Sequence, residues 1–308
     1  MKDLAWLEKH LRPLLVWGKR AASVRPTVYN EFGPWTCLKL IALKYHTEIY
    51  TTIMNKKLPE LPWKAIDYVD ILAGSGLDRI RDTGSFVSGS TIVACESPIR
   101  RKFDHILAIE NNPDFAMALA KRLRLFRQSD TCEVIGYDAE NHVDSIERFL
   151  AKHNAHYLAF VDYEGLGGFP WSNMERLLKH RGDLFITFIP NIGRVWSRNW
   201  DGDREAIARL VGDDVASEAA THDDLFTGYL EKIRKLRPNS LDIRIRSGGT
   251  YHYMLIFCAG QKRMPGWFDA LESLKSKIEM FDGNDVKDAL DRIEGRQDTL
   301  PKPATRHP

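Results

Sequence analysis

Cysteine is scarce in this chain and long apolar runs are missing. The 308 residues hold four cysteines, Cys37, Cys95, Cys132 and Cys258, so widely spread that no two stand at a metal-ligand spacing. A disulfide framework and a zinc ribbon are therefore excluded, and the four read as buried reduced thiols. His142, His153 and His156 are near neighbours in sequence but also lack ligand spacing, so no metal is expected. No apolar stretch approaches the roughly 20 residues that a membrane span requires. Asp3, Glu8 and Lys9 break up the opening residues in a way that does not suit a secretory leader, and a cytoplasmic location is expected. An excess of one charge is missing too: 44 Lys and Arg against 42 Asp and Glu leave a net charge of +2, which does not call for a polyanionic partner by itself.

What is present is an alternation of strand and helix patterns. Leu4, Leu7, Leu11, Leu14 and Leu15 are spaced as a helix over 4–19 that Pro13 interrupts. Leu38, Ile41, Ala42, Tyr45 and Ile49 share one face of a second helix over 35–54, with Pro59 and Pro62 beyond it. Short apolar strands follow at 66–69, 106–109, 132–135, 157–161 and 184–189, and segments of crossover-helix character occupy 113–126, 143–152 and 172–180. Continuous apolar strands separated by helices predict an α/β fold, with a parallel sheet covered on both faces and a ligand site beyond its strand carboxyl ends. Asp70, Glu110, Asp138 and Asp162 all fall at such ends. The alternating stretch 241–246, the turn 247–250 and the apolar return 251–258 predict a closing antiparallel hairpin. Three regions are expected: a helical extension over 1–60, the sheet domain over 61–260, and a helical extension with a fraying tail over 261–308.

Asp70-Ile71-Leu72-Ala73-Gly74-Ser75-Gly76 directly follows the first strand. Gly74 and Gly76 permit positive φ and a close backbone approach to a ligand. The three-glycine dinucleotide pattern is absent, which argues against a nicotinamide cofactor. Between Gly76 and Ile106, the residues Arg79 and Arg81 and the Gly84-Ser85 and Gly89-Ser90 pairs read either as a flexible segment with nests of backbone donors or as a plain surface loop. Within 191–200, Arg194 and Arg198 interleave with Trp196 and Trp200, a composition suited to phosphate contact plus base stacking. A tryptophan-rich lid or a protein-docking surface would share that composition.

Residues 68–76 resemble the first motif of Rossmann-like methyltransferases that modify nucleic acids. Gly89-Ser90-Thr91-Ile92-Val93-Ala94, Phe160-Val161-Asp162-Tyr163-Glu164-Gly165 followed by Pro170-Trp171, and Tyr251-His252-Tyr253 resemble one family more closely, the three-Cys-motif partner (TcmP-like) proteins. Trp35-Thr36-Cys37-Leu38-Lys39 and Tyr45 are similar to that family's opening helix, with Trp35 where His is commoner. The resemblance implies a class I methyltransferase fold, a mostly parallel sheet closed by the hairpin, and S-adenosyl-L-methionine as cofactor. It implies that Asp70 and the backbone of Ala73, Gly74, Ser75 and Gly76 face the methionine part. Glu110, with Asn111 beside it, would hold the ribose hydroxyls, Asp138 and Ala139 the adenine edge, and Asp162 would stand next to the transferring methyl.

Enzymes that methylate an exocyclic base nitrogen commonly follow such an acid with two prolines and an aromatic residue. Those prolines are absent here. Tyr163 could stack on a base, and Asp162 or Glu164 could take a proton. The expected function is S-adenosylmethionine-dependent methyl transfer to RNA or DNA, with Asp162, Tyr163 and Glu164 as catalytic and Arg194, Trp196 and Arg198 as substrate-binding residues. The alternative is a non-catalytic partner protein of the same fold that binds another protein or a nucleic acid.

Overall fold

The computed structural model describes residues 4–98, 100–126, 129–136, 143–162, 169–189, 200–260 and 267–296. In chain order, helix α1 (Ala5–Ala21) leads through strand β1 (Asn30–Phe32) to α2 (Thr36–Lys57) and β2 (Ala65–Ile71). Strands β3 (Leu77–Ile80) and β4 (Phe86–Ser88) come next, followed by α3 (Ser90–Glu96) and β5 (His105–Ile109). The order continues with α4 (Pro113–Leu123), β6 (Cys132–Ile135), α5 (Val143–His153), β7 (Ala155–Asp162), α6 (Trp171–Lys179) and β8 (Gly182–Phe188). Helices α7 (Trp200–Val211), α8 (Asp213–Glu218) and α9 (His222–Leu236) lead to β9 (Ser240–Arg246) and β10 (His252–Cys258), and α10 (Trp267–Ile278) and α11 (Gly283–Ile293) complete the chain.

Seven strands form one sheet in the order β6-β5-β2-β7-β8-β10-β9. The first five are mutually parallel, while β10 runs antiparallel to both β8 and β9. This is the strand order of the Rossmann-like class I methyltransferase fold, and the expected closing hairpin is β9–β10. The sheet is apolar on both faces because both are covered. Ile66 and Tyr68 of β2 pack into a core shared with α1, α2, α3, α10 and α11, whereas Val69 and Ile71 pack into a second core with α5, α6, α7 and α9. Side chains alternate between faces along a strand. Asp70 and Asp162 therefore look toward the α2 side, as Tyr68 and Phe160 do, and Asp67 looks toward the α5 side.

Two local expectations change. Helix α1 continues through Pro13 rather than breaking there, its leucines Leu7, Leu11, Leu14 and Leu15 all buried on the sheet side. Packing of that apolar face outweighs the backbone bond a mid-helix proline forfeits. The stretch after Gly76 is neither a flexible segment nor a plain surface loop. It forms β3 and β4, which join β1 in a small sheet, and then the buried helix α3. Strands of four and three residues carry too short a pattern to show in the sequence, and their partner β1 lies in a distant segment. Among the described residues no helix is long and apolar enough to cross a membrane.

Arg122 of α4 is fully buried and ties the N-terminal segment to the sheet. Its guanidinium donates to the carbonyls of Ala21, Val24, Arg25 and Val28 and, at 2.7 Å, to that of Ser75. Arg122→Met keeps most of the volume but orphans these acceptors, each worth about 1–3 kcal/mol when buried. The expected loss is about 3 kcal/mol or more of unfolding free energy, read as a lower urea midpoint at unchanged slope. An unchanged midpoint would contradict this role.

Candidate functional site

At the carboxyl end of β2 the chain turns through Leu72, Ala73, Gly74, Ser75 and Gly76. Leu72, Gly74 and Gly76 all have positive φ, at 66°, 66° and 76°. For Leu72 this left-handed conformation costs on the order of 1 kcal/mol, strain of a kind that gathers at ligand sites. A Cβ at Gly74 would meet Asn30 Oδ1 at 2.9 Å and one at Gly76 would meet Leu119 Cδ1 at 2.7 Å, so neither position admits a side chain without movement.

The loop is held by side chains from other elements. Gly74 N–H donates to Glu110 Oε2 at 2.7 Å, and Ser75 N–H donates to Asn30 Oδ1 at 2.9 Å. Glu110, at the end of β5, also accepts from the Asn112 N–H at 2.7 Å through Oε1. Asn112 in turn caps α4, accepting from the Asp114 and Phe115 amides, with Pro113 at the first helical position. Glu110 thus links the glycine loop to the start of α4, and each of its oxygens keeps acceptor capacity beyond the bond it already makes.

Asp70 lies behind this loop, fully buried. Thr91 Oγ1 donates to its Oδ2 at 2.6 Å, while Oδ1 has no hydrogen-bond partner. Burial pushes the Asp70 pKa up to about 7, against the pull of the Thr91 hydroxyl.

A narrow cleft, with about 10 Å³ of free space, lies beside the loop, lined by Asn30, Phe32, Lys39, Gly74, Ser90 and Asp162 among others. Lys39 of α2 forms a buried ion pair with Asp162, its ammonium also 5.5 Å from the centre of the Phe32 ring. Trp35 and Tyr251 pack at 5.5 Å between ring centres, Tyr253 lies next to Tyr251, and burial together with the Asp162 charge raises both tyrosine pKa values. The result is an anion–cation pair bordered by aromatic rings at the end of β7. A larger concavity between α6, α7 and α8, lined by residues such as Trp171, Arg204 and Arg209, shares no residue with this cleft. Among its described lining residues it has a positive-φ glycine, Gly212, but no buried acid and no left-handed non-glycine residue such as Leu72, so the smaller cleft is the candidate site.

Of the residues singled out in the sequence, Ala73, Gly74 and Asp162 line the cleft directly. Gly76, Ser75 and Glu110 shape its wall, and Asn111 sits in the turn after Glu110. Asp70 is brought behind the loop rather than into the cleft. Asp138, Ala139, Tyr163, Glu164, Arg194, Trp196 and Arg198 lie outside the described residues. Lys39, Asn30 and Phe32 were not foreseen as site residues. Lys39 left a signal nonetheless: it is a charged residue in Cys37-Leu38-Lys39-Leu40-Ile41, a run buried throughout.

No family model matches the chain, and no curated protein matches it. Among solved structures the chain is similar to the O-methyltransferase TomG from Streptomyces achromogenes in complex with SAM, at 12% identity over 71% of this chain and 90% of that one, with a TM-score of 0.38. It is also similar to human methyltransferase-like protein 13 in complex with SAH, at 14% identity over 85% of this chain and 97% of that one, TM-score 0.38. An O-methyltransferase from Bacillus cereus in complex with SAH gives 12% identity over 70% and 80%, TM-score 0.38.

The buried state of Asp70 has a measurable consequence. Its pKa rises from a reference of 3.8 to about 7 on folding, so the folded chain binds the extra proton between those values and loses stability as pH rises through that window. Asp70→Asn removes the ionisation. The variant should be more stable than the parent at pH 8, by up to about 4 kcal/mol, with the gap closing toward pH 4. An equal gap at both pH values, measured by chemical denaturation, would contradict the assignment.

Proposed function

We propose that the cleft widens to bind S-adenosylmethionine and that the chain transfers its methyl group to a nucleic-acid acceptor, RNA or DNA. The reading is carried by one observation: a positive-φ loop and Glu110 are joined by a hydrogen bond at the carboxyl ends of adjacent strands of a class I methyltransferase sheet. S-adenosylmethionine, when bound, supplies an electrophilic methyl on a sulfonium. Glu110 is suited to the ribose, because a carboxylate can accept from both vicinal hydroxyls. Asp162 is suited to take the acceptor's proton as the methyl moves, or to orient an amine that keeps its lone pair on the nucleophile. The aromatic border of Trp35 and Tyr251 suits a flat base. RNA or DNA as the acceptor class rests on Arg194, Trp196 and Arg198, and kinship to the three-Cys-motif partner proteins on the motifs around Asp162 and Tyr251.

One feature favours a second reading, a non-catalytic partner protein of this fold. The Gly74 and Ser75 amides and the Asp162 carboxylate all have protein partners already, so the cleft is satisfied without a ligand.

Lys39 gives the two readings different outcomes. An ammonium fixed beside Asp162 opposes a sulfonium but not the neutral thioether of S-adenosylhomocysteine. Calorimetric titration should show saturable binding of both nucleosides, with S-adenosylhomocysteine favoured by about tenfold, or about 1.4 kcal/mol. Lys39→Met should narrow that ratio, and Glu110→Ala should weaken both ligands. Absence of binding to either nucleoside by the folded protein would reject the methyltransferase reading in favour of the partner protein.

A further inference from the structure

A second cluster of chemistry-bearing side chains lies on the other face of the sheet. Asp67 of β2 is fully buried and pairs in register with His105 of β5. It precedes Asp70 by three residues, about 10 Å of strand, and faces the opposite side. His105 Nδ1 lies 2.9 Å from Asp67 Oδ1, and His153 Nδ1, from the end of α5, lies 2.9 Å from Oδ2. The two imidazoles stack at 3.6 Å between centres and 13° between planes. One ligand atom from each of the three residues can be chosen so that all lie within 4.8 Å of one another.

The sequence did not show this group, because Asp67, His105 and His153 belong to three separate elements. His156, which stands near His153 in sequence, faces away from it and bonds to the Tyr50 hydroxyl at 2.7 Å. His142 lies outside the described residues.

We propose that Asp67, His105 and His153 form a binding site for a divalent transition-metal ion of the zinc class. With both imidazoles neutral, their Nδ1–H groups satisfy the Asp67 oxygens but leave a buried negative charge that one imidazolium would balance, while two imidazoliums stacked at this distance would repel each other. A divalent ion in place of the two Nδ1 protons would also supply the balancing positive charge. Zinc–nitrogen and zinc–oxygen bonds of about 2.0–2.2 Å in a tetrahedron place ligand atoms roughly 3.4 Å apart, so the present nitrogen–oxygen separations must open by about half an ångström and the two stacked rings must turn out of parallel until one ion lies in both ring planes. Two nitrogens and one oxygen form a borderline donor set that favours zinc, cobalt or nickel over magnesium and calcium. The His105 side chain is 38% exposed, against 11% for His153, which opens the fourth position to water on that side. Phe149 packs edge-on to His153 at 4.7 Å and gives the site an apolar wall. So placed, the ion joins β2, β5 and α5 on the sheet face opposite the cleft and acts as a structural clip.

The test uses tag-free, metal-stripped full-length protein titrated with Zn²⁺, followed by melting temperature, and with Co²⁺, followed by visible absorption. The expected result is one equivalent of bound Zn²⁺ that raises the melting temperature by about 5 °C or more, and a tetrahedral Co²⁺ spectrum. His105→Ala and His153→Ala should each weaken binding at least tenfold. His180→Ala, which alters an exposed imidazole bonded to Glu147, should leave it unchanged. Failure of the unaltered protein to bind Zn²⁺ saturably would overturn the site, whatever the variants do. Equal binding by all three variants would overturn it as well, by showing that the ion attaches elsewhere. None of these readouts depends on the nucleoside cleft.

Discussion

The loop over 72–76 cannot hold its shape alone, and the candidate site depends on what holds it. Three of its five residues have positive φ, and one of these is a leucine. The glycines take this conformation freely, but the strain at Leu72 persists only where the surroundings over-determine the backbone. Here the surroundings come from three distant parts of the chain: Glu110 takes the Gly74 amide, Asn30 takes the Ser75 amide, and Arg122 takes the Ser75 carbonyl. Asn30 and Arg122 explain why the N-terminal segment belongs beside the sheet. The first places β1 against the loop, and the second fastens the turns after α1.

The same sheet geometry distributes the buried acids. Alternation along β2 sends Asp67 to one face and Asp70 to the other, and Asp162 of β7 shares the face of Asp70. Each acid has a different partner: two imidazoles for Asp67, a threonine hydroxyl for Asp70 and an ammonium for Asp162. A buried carboxylate is tolerated only with such compensation, so these partners mark where the fold accepts a cost. Asp183 of β8, also fully buried, accepts from the Gly260 N–H, and most remaining buried strand positions are Val, Ile, Leu and Phe, which need no partner.

The sheet was legible in the sequence because its strands are continuous apolar runs, and the bounds of β6 and the acids ending β5 and β7 stand where the pattern put them. The glycine loop was legible for the same reason: Gly74 and Gly76 follow a strand directly. The small sheet of β1, β3 and β4 was not legible, since its strands are short and its parallel partner comes from residues 30–32. Lys39 was visible as a charged residue in an apolar helix, but its pairing with Asp162 spans 123 positions and has no local signature. The trio of Asp67, His105 and His153 was hidden likewise, because only strand register brings two of its members together.

The account stands or falls on whether the loop and Glu110 close on a nucleoside. Hydrogen–deuterium exchange of the full-length protein with and without saturating S-adenosylhomocysteine tests this most directly, because it reads the loop amides themselves. The account predicts added protection at Leu72 to Gly76 and at Glu110 to Asn112, with little change in β9 and β10. Unchanged exchange across both segments in the presence of the ligand would contradict it.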